Sequence, residues 1–571
     1  MSLAPSSARA RTSARLAVAA AVIVGTGALV LVLVAREGRK PPLSAHERTV
    51  RIYGADGSFG RAARLSHVAS GQSFGVVGVP GWGFAPGEAA YFTAVGPDGT
   101  VFMANEPQDD NQVFPTAREM VVSEFSPASG RFANLVIPTS TGQTDVAGPW
   151  PSSTLRVGGA DIADLQPIDV DGTERIGFLS AQPYEGWNIS QNGVYPTLGY
   201  LTDGPRGWSY DAAEGVSALS IARSATAQTG QPCNQERSAD GQPFADCRLP
   251  TEMDQLPHSH DLVITQYASN VPGGISGQIT VLDTAGRLLA SYAYPTITLP
   301  DGQTVDVHPR EIDADPASPA NDEHFVVIFD SSTGSQSGPF AMQEFTYDAA
   351  TATITPLSAP VLTGDTAPDG TALGFETAQY DRHGDLWAAQ SQTGTLTGGP
   401  IAIYRPTPAG ATLARAGCTV APTWNGTPWA SRCPPDTHIT QTTTLGIVRS
   451  INQDPTTGAM LIATMSGDLL PIQTANNETT LTPEPPIDLA LNALTDRTNA
   501  LTDRTTTLTG IRKGAIDPTT HTLYLPIQQI ERAGACGARA CAPRRLDQWL
   551  VAVNLDQVVG GQRRGTHRRP S

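Results

Sequence analysis

Lysine, and charged side chains in general, are scarce in this sequence. Lysine occurs only at Lys40 and Lys513, charged residues make up 16% of the 571 residues, and the formal net charge is −17. An acidic chain is repelled by phosphate backbones, so this balance excludes non-specific nucleic-acid binding. The sequence also lacks a second long apolar run after the one near its amino terminus, which excludes a multi-span membrane protein.

The one long apolar run predicts a membrane anchor. It begins at Leu16 and ends at Ala35, which is long enough to cross roughly 30 Å of hydrocarbon as a helix. Arginines flank it on both sides, so the positive-inside rule is nearly balanced, and the acidic, cysteine-paired remainder favours an exported ectodomain. A cleaved signal peptide is the alternative, but its apolar core would be shorter and would end at a small-x-small site. We therefore predict a single-pass cell-membrane protein with a cytoplasmic tail at 1–15, a signal anchor at 16–35 and a linker at 36–48.

The cysteines fall into three pairs of close neighbours: Cys233 with Cys247, Cys418 with Cys433, and Cys536 with Cys541. Many other pairings are possible, so proximity favours these three disulfides without proving them. A metal site is the alternative, but no CxxC pair occurs and no histidine lies inside these intervals. Disulfides imply an oxidising compartment, which agrees with an ectodomain outside the cytoplasm.

A strand that ends at aspartate, a tight turn and a second strand recur along the chain. The pattern is seen at 379–390, 452–461 and 515–524, and weaker versions precede it. Recurring hairpins in a chain rich in turn residues predict an all-β repeat fold, a β-propeller of about seven blades, with six or eight as alternatives. We expect it to span 49–557, with the 49–65 hairpin closing the ring against the last strands and a disordered basic tail at 558–571.

Two of these hairpins carry a family resemblance. Asp381-x-x-Gly384-x-Leu386-Trp387 resembles the blade hairpin of the SMP-30/gluconolactonase and NHL-type propellers. The segment 515–520, followed by Leu523-Tyr524, is similar to YVTN-type surface propellers. The resemblance covers short pieces of about three blades and implies the fold, whereas propellers host many unrelated activities.

Three local motifs suggest chemistry, and each has a plainer interpretation. Residues 71–75 match the GxSxG nucleophile elbow, but the sequence that follows is a poor helix start. The two imidazoles of His258-Ser259-His260-Asp261, placed on one side of a strand, have a spacing that metals exploit, but no third ligand is evident and a polar entrance to a blade is favoured. Residues 169–174 suggest calcium faintly and an Asp-Gly turn more strongly. We predict no metal, cofactor or catalytic residue.

A column of charged residues appears when the repeats are aligned on their turn aspartates. Counting five residues back from Asp315, Asp381, Asp454 and Asp517 gives Arg310, Glu376, Arg449 and Arg512, and the same count from Asp171 gives Gln166. This position starts the innermost strand of a blade, near the channel mouth. Three arginines around one glutamate, with Lys513 and His308 close in sequence, suit an anionic ligand held by forked hydrogen bonds. A ring in which Glu376 satisfies the arginines and nothing binds is an equal alternative.

These features favour a non-enzymatic, membrane-anchored module of the bacterial envelope that binds a small anion or a partner protein outside the cytoplasm. The alternative is a hydrolase or lactonase with its site at the same mouth. The metal-dependent lactonases of the resembling family need several carboxylate or amide ligands there, and one glutamate among arginines disfavours that activity. Metal analysis of the purified protein discriminates between the two hypotheses.

Overall fold

The computed structural model describes twenty-five segments of the chain: 50–54, 88–107, 119–129, 131–138, 161–181, 197–205, 207–210, 248–268, 277–294, 297–298, 304–305, 307–331, 341–357, 359–363, 373–392, 398–406, 413–420, 438–440, 447–464, 467–475, 480–483, 487–488, 505–511, 513–532 and 549–558. The predicted anchor, the 71–75 motif and the basic tail beyond residue 558 lie outside these segments. Within them, no helix has the length and apolar character needed to cross a membrane.

The first strands along the chain form a short edge strand and three sheets. They are β1 (Val50–Gly54), then β2 (Glu88–Val95), β3 (Val101–Pro107), β4 (Glu119–Ser126) and β5 (Arg131–Pro138) in sheet 1, β6 (Asp161–Val170), β7 (Thr173–Ala181), β8 (Thr197–Gly204) and β9 (Gly207–Tyr210) in sheet 2, and β10 (Arg248–Gln255), β11 (Leu262–Ala268), β12 (Gly277–Leu282) and β13 (Leu288–Tyr294) in sheet 3. Each of these three sheets is an antiparallel meander in chain order.

The middle of the chain contributes a small ribbon and three more sheets. They are β14 (Ile297–Thr298) and β15 (Thr304–Val305) in the ribbon, β16 (Val307–Ala314), β17 (Glu323–Ser331), β18 (Ala341–Asp348), β19 (Thr353–Pro356) and β20 (Val361–Leu362) in sheet 4, β21 (Leu373–Tyr380), β22 (Leu386–Gln392), β23 (Gly398–Pro406), β24 (Leu413–Val420) and β25 (His438–Thr440) in sheet 5, and β26 (Val448–Gln453), β27 (Met460–Thr464), β28 (Asp468–Ala475), β29 (Thr480–Pro483) and β30 (Ile487–Asp488) in sheet 6.

Sheet 7 joins strands from the two ends of the described part of the chain. It contains β31 (Thr505–Ile511), β32 (Ala515–Asp517), β33 (Thr522–Arg532) and β34 (Trp549–Asn554), after which comes the short helix α1 (Leu555–Val558). β1 pairs antiparallel with β34, so that Val50 lies opposite Val553 and Gly54 opposite Trp549. The prediction that the first hairpin closes the ring is therefore confirmed for β1, while the remainder of that hairpin lies outside the described residues.

Apolar clusters of described residues fill the spaces between consecutive sheets from sheet 1 to sheet 6, and between sheets 7 and 1. Their members include Phe102 and Phe178 between sheets 1 and 2, Tyr200 and Ile264 between 2 and 3, Val281 and Phe345 between 3 and 4, Ile328 and Leu386 between 4 and 5, Trp387 and Ile462 between 5 and 6, and Phe125 and Tyr524 between 7 and 1. The first strands of successive sheets also contact one another. The sheets therefore follow one another in a closed ring with their first strands innermost, which makes the fold an all-β propeller.

The recurring aspartate is an acceptor that builds the turn after the inner strands of sheets 5, 6 and 7. Asp381 Oδ1 accepts hydrogen bonds from the backbone N–H groups of His383 and Asp385, at 2.9 and 3.0 Å, and its Oδ2 accepts one from Trp387 Nε1 at 3.0 Å. Asp454 and Asp517 accept from the N–H two residues later in the same way. Gly384 completes its turn with a φ of +81°, which is the left-handed conformation that glycine adopts without strain.

Candidate functional site at the channel mouth

The inner strands of sheets 2 to 6 each carry one extra residue near their start. The register against the second strand shifts at this point, and the extra residues are Ala163, Thr251, Arg310, Glu376 and Arg449. A bulge of this kind turns a side chain away from the regular pleat. Three residues of the predicted column therefore occupy one structural position on consecutive sheets.

The alignment of the repeats on their turn aspartates is wrong for sheet 2. β6 runs seven residues beyond its bulge before its turn, whereas β16, β21 and β26 run four. Counting back from Asp171 therefore reaches Gln166, which lies further along the strand than the bulge. Gln166 Nε2 instead donates to Asp164 Oδ2 at 2.8 Å.

We call Arg310, Glu376 and Arg449 the arginine–glutamate cluster. Arg310 Nη2 donates to Glu376 Oε1 at 3.0 Å and to the Glu376 carbonyl oxygen at 3.1 Å. Arg449 Nη1 contacts the same Oε1, so one carboxylate oxygen on sheet 5 is shared by arginines from sheets 4 and 6. The Glu376 side chain is 5% exposed, whereas Arg310 and Arg449 remain 28% and 23% exposed.

Glu376 is ionised in this arrangement. Burial raises its pKa, but the two arginines and the hydroxyl of Ser391, which donates to Oε2 at 2.7 Å, outweigh burial and hold the pKa at about 2. Because both guanidinium groups bond to one oxygen, the two nitrogen atoms lie within two hydrogen-bond lengths, roughly 6 Å. A single oxyanion can therefore contact both arginines.

A second ion pair links parts of the ring that are not adjacent. Lys513 Nζ contacts Glu252 Oε1; Glu252 lies on β10 of sheet 3, whereas Lys513 lies between β31 and β32 of sheet 7 and bridges to Phe92 of β2. Asp164 and Glu311 also act on Lys513. Burial lowers the pKa of Lys513, but these carboxylates prevail and raise it well above its usual value. Glu311 interacts in turn with Arg310 and Glu376, which links this pair to the arginine–glutamate cluster.

Carboxylates of this pair and of neighbouring residues join the inner strands to one another. Four of them accept a hydrogen bond from a backbone N–H of the next sheet: Asp164 from Met253 at 3.0 Å, Glu252 from Ile312 at 2.8 Å, Asp254 from Ala314 at 2.7 Å and Asp313 from Tyr380 at 2.6 Å. An inner strand is the edge of its sheet, so its outward N–H groups need acceptors from elsewhere. Our sequence analysis missed these residues, although acids at alternate positions, 252 with 254 and 311 with 313, were a visible signal.

The structure describes little of the remaining predicted residues, which are Arg512, His308 and the cysteines. Arg512 and the side chain of His308 lie outside the described part of the chain, as do all the cysteines apart from the backbone of Cys418 in β24. The three disulfides therefore stay a prediction.

His258 and His260 lie in the turn between β10 and β11, so their predicted placement on a strand is wrong. His258 Nε2 is 2.7 Å from the Ser318 carbonyl oxygen, and His260 Nδ1 is 3.8 Å from Asp169 Oδ2. Residues 169–174, considered above for calcium, contain the tight hairpin turn at Asp171-Gly172. Gly172 donates its N–H to Asp169 Oδ1 at 2.7 Å in this turn. Across the described segments, no group of three or more His, Cys, Asp or Glu side chains is arranged to hold a metal ion.

No protein-family model matches this chain, and no curated protein matches it. Among solved structures, the chain is similar to a putative 6-phosphogluconolactonase from Bacteroides uniformis, at 14% identity over 69% of this chain and 83% of that one, with a TM-score of 0.37. It is also similar to the periplasmic gluconolactonase of Pseudomonas aeruginosa, at 13% identity over 70% and 85% of the two chains, with a TM-score of 0.38. The Dos1 propeller matches at 10% identity over 82% and 93%, with a TM-score of 0.38. Similarity at this level carries no information about activity.

Proposed function

We propose that this chain is a membrane-anchored, extracytoplasmic propeller that binds an anionic group at the mouth of its channel. The group is carried by a small molecule or by a protein of the cell envelope. The observation that supports this function is the shared contact of Arg310 and Arg449 with one oxygen of Glu376. Three structural parts contribute to the proposal: the cluster, the ring that presents it, and the segment that precedes the ring.

The charges of the cluster favour an anion. The cluster by itself, two arginines and one ionised glutamate, carries a net charge of +1, and Glu311 beside Arg310 is outside this count. Charge in a partly buried site is screened less than in bulk water. Each guanidinium presents its N–H donors in a planar fork, a geometry that matches the oxygens of an oxyanion. Glu376 holds the two arginines near each other, and an oxyanion on the solvent side would accept forked hydrogen bonds from both.

The ring and the anchor complete the proposal. We assign one blade to each of the seven sheets, because each has a bulged or edge inner strand and an antiparallel meander behind it. In this proposal the apolar run at 16–35 is the membrane anchor, and the three cysteine pairs favour an oxidising compartment outside the cytoplasm. A tethered ring of this kind presents its channel mouth to soluble or envelope-bound ligands.

Calorimetric titration of the full-length protein in detergent with citrate, phosphate and sulfate tests the function. We expect at least one of these anions to bind, and Arg449→Ala to weaken its affinity at least tenfold. Arg382→Ala is the matched control, because it removes the same charge from the turn at the opposite end of the inner strand. Absence of binding to the wild-type protein, or equal losses in both variants, would count against the proposal.

A further inference from the structure

His521 lies where three elements of the ring meet. It ends the turn between β32 and β33, and it adopts a left-handed φ of +50°. Its carbonyl oxygen accepts a hydrogen bond from the N–H of Leu555, at the start of α1, at 3.0 Å. Its ring bonds to sheet 6 on one side and to α1 on the other, so the residue ties the closing sheet to both.

Both ring nitrogens of His521 face carboxylate oxygens. Nε2 is 2.9 Å from Asp454 Oδ1 on sheet 6, and Nδ1 is 2.8 Å from Asp556 Oδ1 on α1. The Asp454 side chain is fully buried, that of His521 is 13% exposed and that of Asp556 is 71% exposed. Among the described residues, these two aspartates are the charged groups that act on the imidazole.

This geometry requires a protonated ring. A neutral imidazole carries one N–H and one lone pair, so one of the two contacts would set a lone pair against a carboxylate oxygen. The imidazolium donates to both. Burial lowers the pKa of His521, but the hydrogen bonds and charges of Asp556 and Asp454 outweigh burial and raise it above its ordinary value.

We infer that His521 forms a proton-dependent pair of ionic hydrogen bonds that links sheet 6, the closing sheet 7 and α1. The proton is held more tightly in the folded ring than in the unfolded chain. The stabilisation is therefore fully present below the unfolded pKa of about 6.5 and is lost as the pH rises through the higher folded value. In the extracytoplasmic location proposed above, the ring meets changes in ambient pH. The junction is more stable at acidic pH and less stable at basic pH.

The experiment measures the Tm of the full-length protein in detergent between pH 5 and pH 9 for the wild type and three variants. We expect His521→Gln to lower Tm by roughly 1–2 °C at pH 5.5, a small shift because the ring is large, and by much less at pH 8.5. His383→Gln is the matched control, because His383 lies in the turn that follows the inner strand of sheet 5. Its replacement also removes the titration of one histidine from the unfolded chain. Asp556→Asn keeps the histidine and is expected to move the loss of stability to lower pH.

Hydrogen exchange provides a local readout. Amides of β33 and α1 should exchange faster in His521→Gln than in the wild type at pH 5.5, with no difference in β10 or β11. Parallel profiles of Tm against pH for His521→Gln and the wild type would overturn this inference. An Asp556→Asn profile identical to that of the wild type would overturn it as well. If His521→Gln does not fold, the Asp556→Asn profile alone decides, because that side chain is largely exposed.

Discussion

Replacing Glu376 with glutamine tests the arginine–glutamate cluster most directly. Glutamine keeps the volume and one carbonyl oxygen, but it removes the charge that Arg310 and Arg449 share. The two arginines then face each other in a partly buried opening with no carboxylate between them. We expect the ring to lose stability, because unpaired charge away from water is costly.

The magnitude follows from the pKa of Glu376. A carboxyl with an ordinary value of 4.5 that is held at about 2 in the folded protein is stabilised by about 3 kcal/mol, at roughly 1.4 kcal/mol per pKa unit. Breaking a buried ion pair by removing one partner costs a similar 3–5 kcal/mol. The partial exposure of the arginines reduces this cost, so we expect Glu376→Gln to lower the free energy of unfolding by about 2–3 kcal/mol at pH 7.

Urea unfolding at several pH values measures the effect. Because the pKa of Glu376 is lower in the folded state than in the unfolded state, its contribution is present above pH 4.5 and disappears as the pH falls toward 2. The difference between wild type and variant should therefore be constant from pH 5 to pH 8 and should shrink below pH 4.

Ser391→Ala is the control for the same carboxylate, since it removes only the hydrogen bond to Oε2 and should cost about 1–2 kcal/mol. A Glu376→Gln loss below 1 kcal/mol at pH 7, or one that persists undiminished at pH 3, would refute the reasoning.

The cysteine pairs and the amino-terminal boundary give the remaining predictions. Peptide mapping without reduction should recover three disulfides, 233–247, 418–433 and 536–541, and a link between any two of these pairs would reject the assignment. A chain beginning at Glu47 should be soluble and show β-type circular dichroism, because it retains the strand that pairs with β34. A chain beginning after Gly54 should unfold at a lower urea concentration, since it leaves the edge of β34 without its partner. Equal midpoints for these two chains would show that β1 does not stabilise the ring.

The sequence by itself determined the local parts of this protein. The turn aspartates could be read from it because Asp381, Asp454 and Asp517 each bond to N–H groups only a few residues away. The column through Arg310, Glu376 and Arg449 could be read because β16, β21 and β26 share the same spacing from bulge to turn. Where this spacing differs, as in β6, the count failed at Gln166.

Tertiary structure decided which distant residues meet. Lys513 and Glu252 form a pair only because the ring brings their sheets together, and no local pattern links two residues so far apart in the chain. His521 was visible in the sequence as a turn residue, yet its two carboxylates come from sheet 6 and from α1. The acceptor role of Asp254 and Asp313 likewise depends on the neighbouring inner strand lying at hydrogen-bond distance. These contacts follow from how the sheets pack around the axis, because the packing sets which charges share a low-dielectric interior and must therefore be paired.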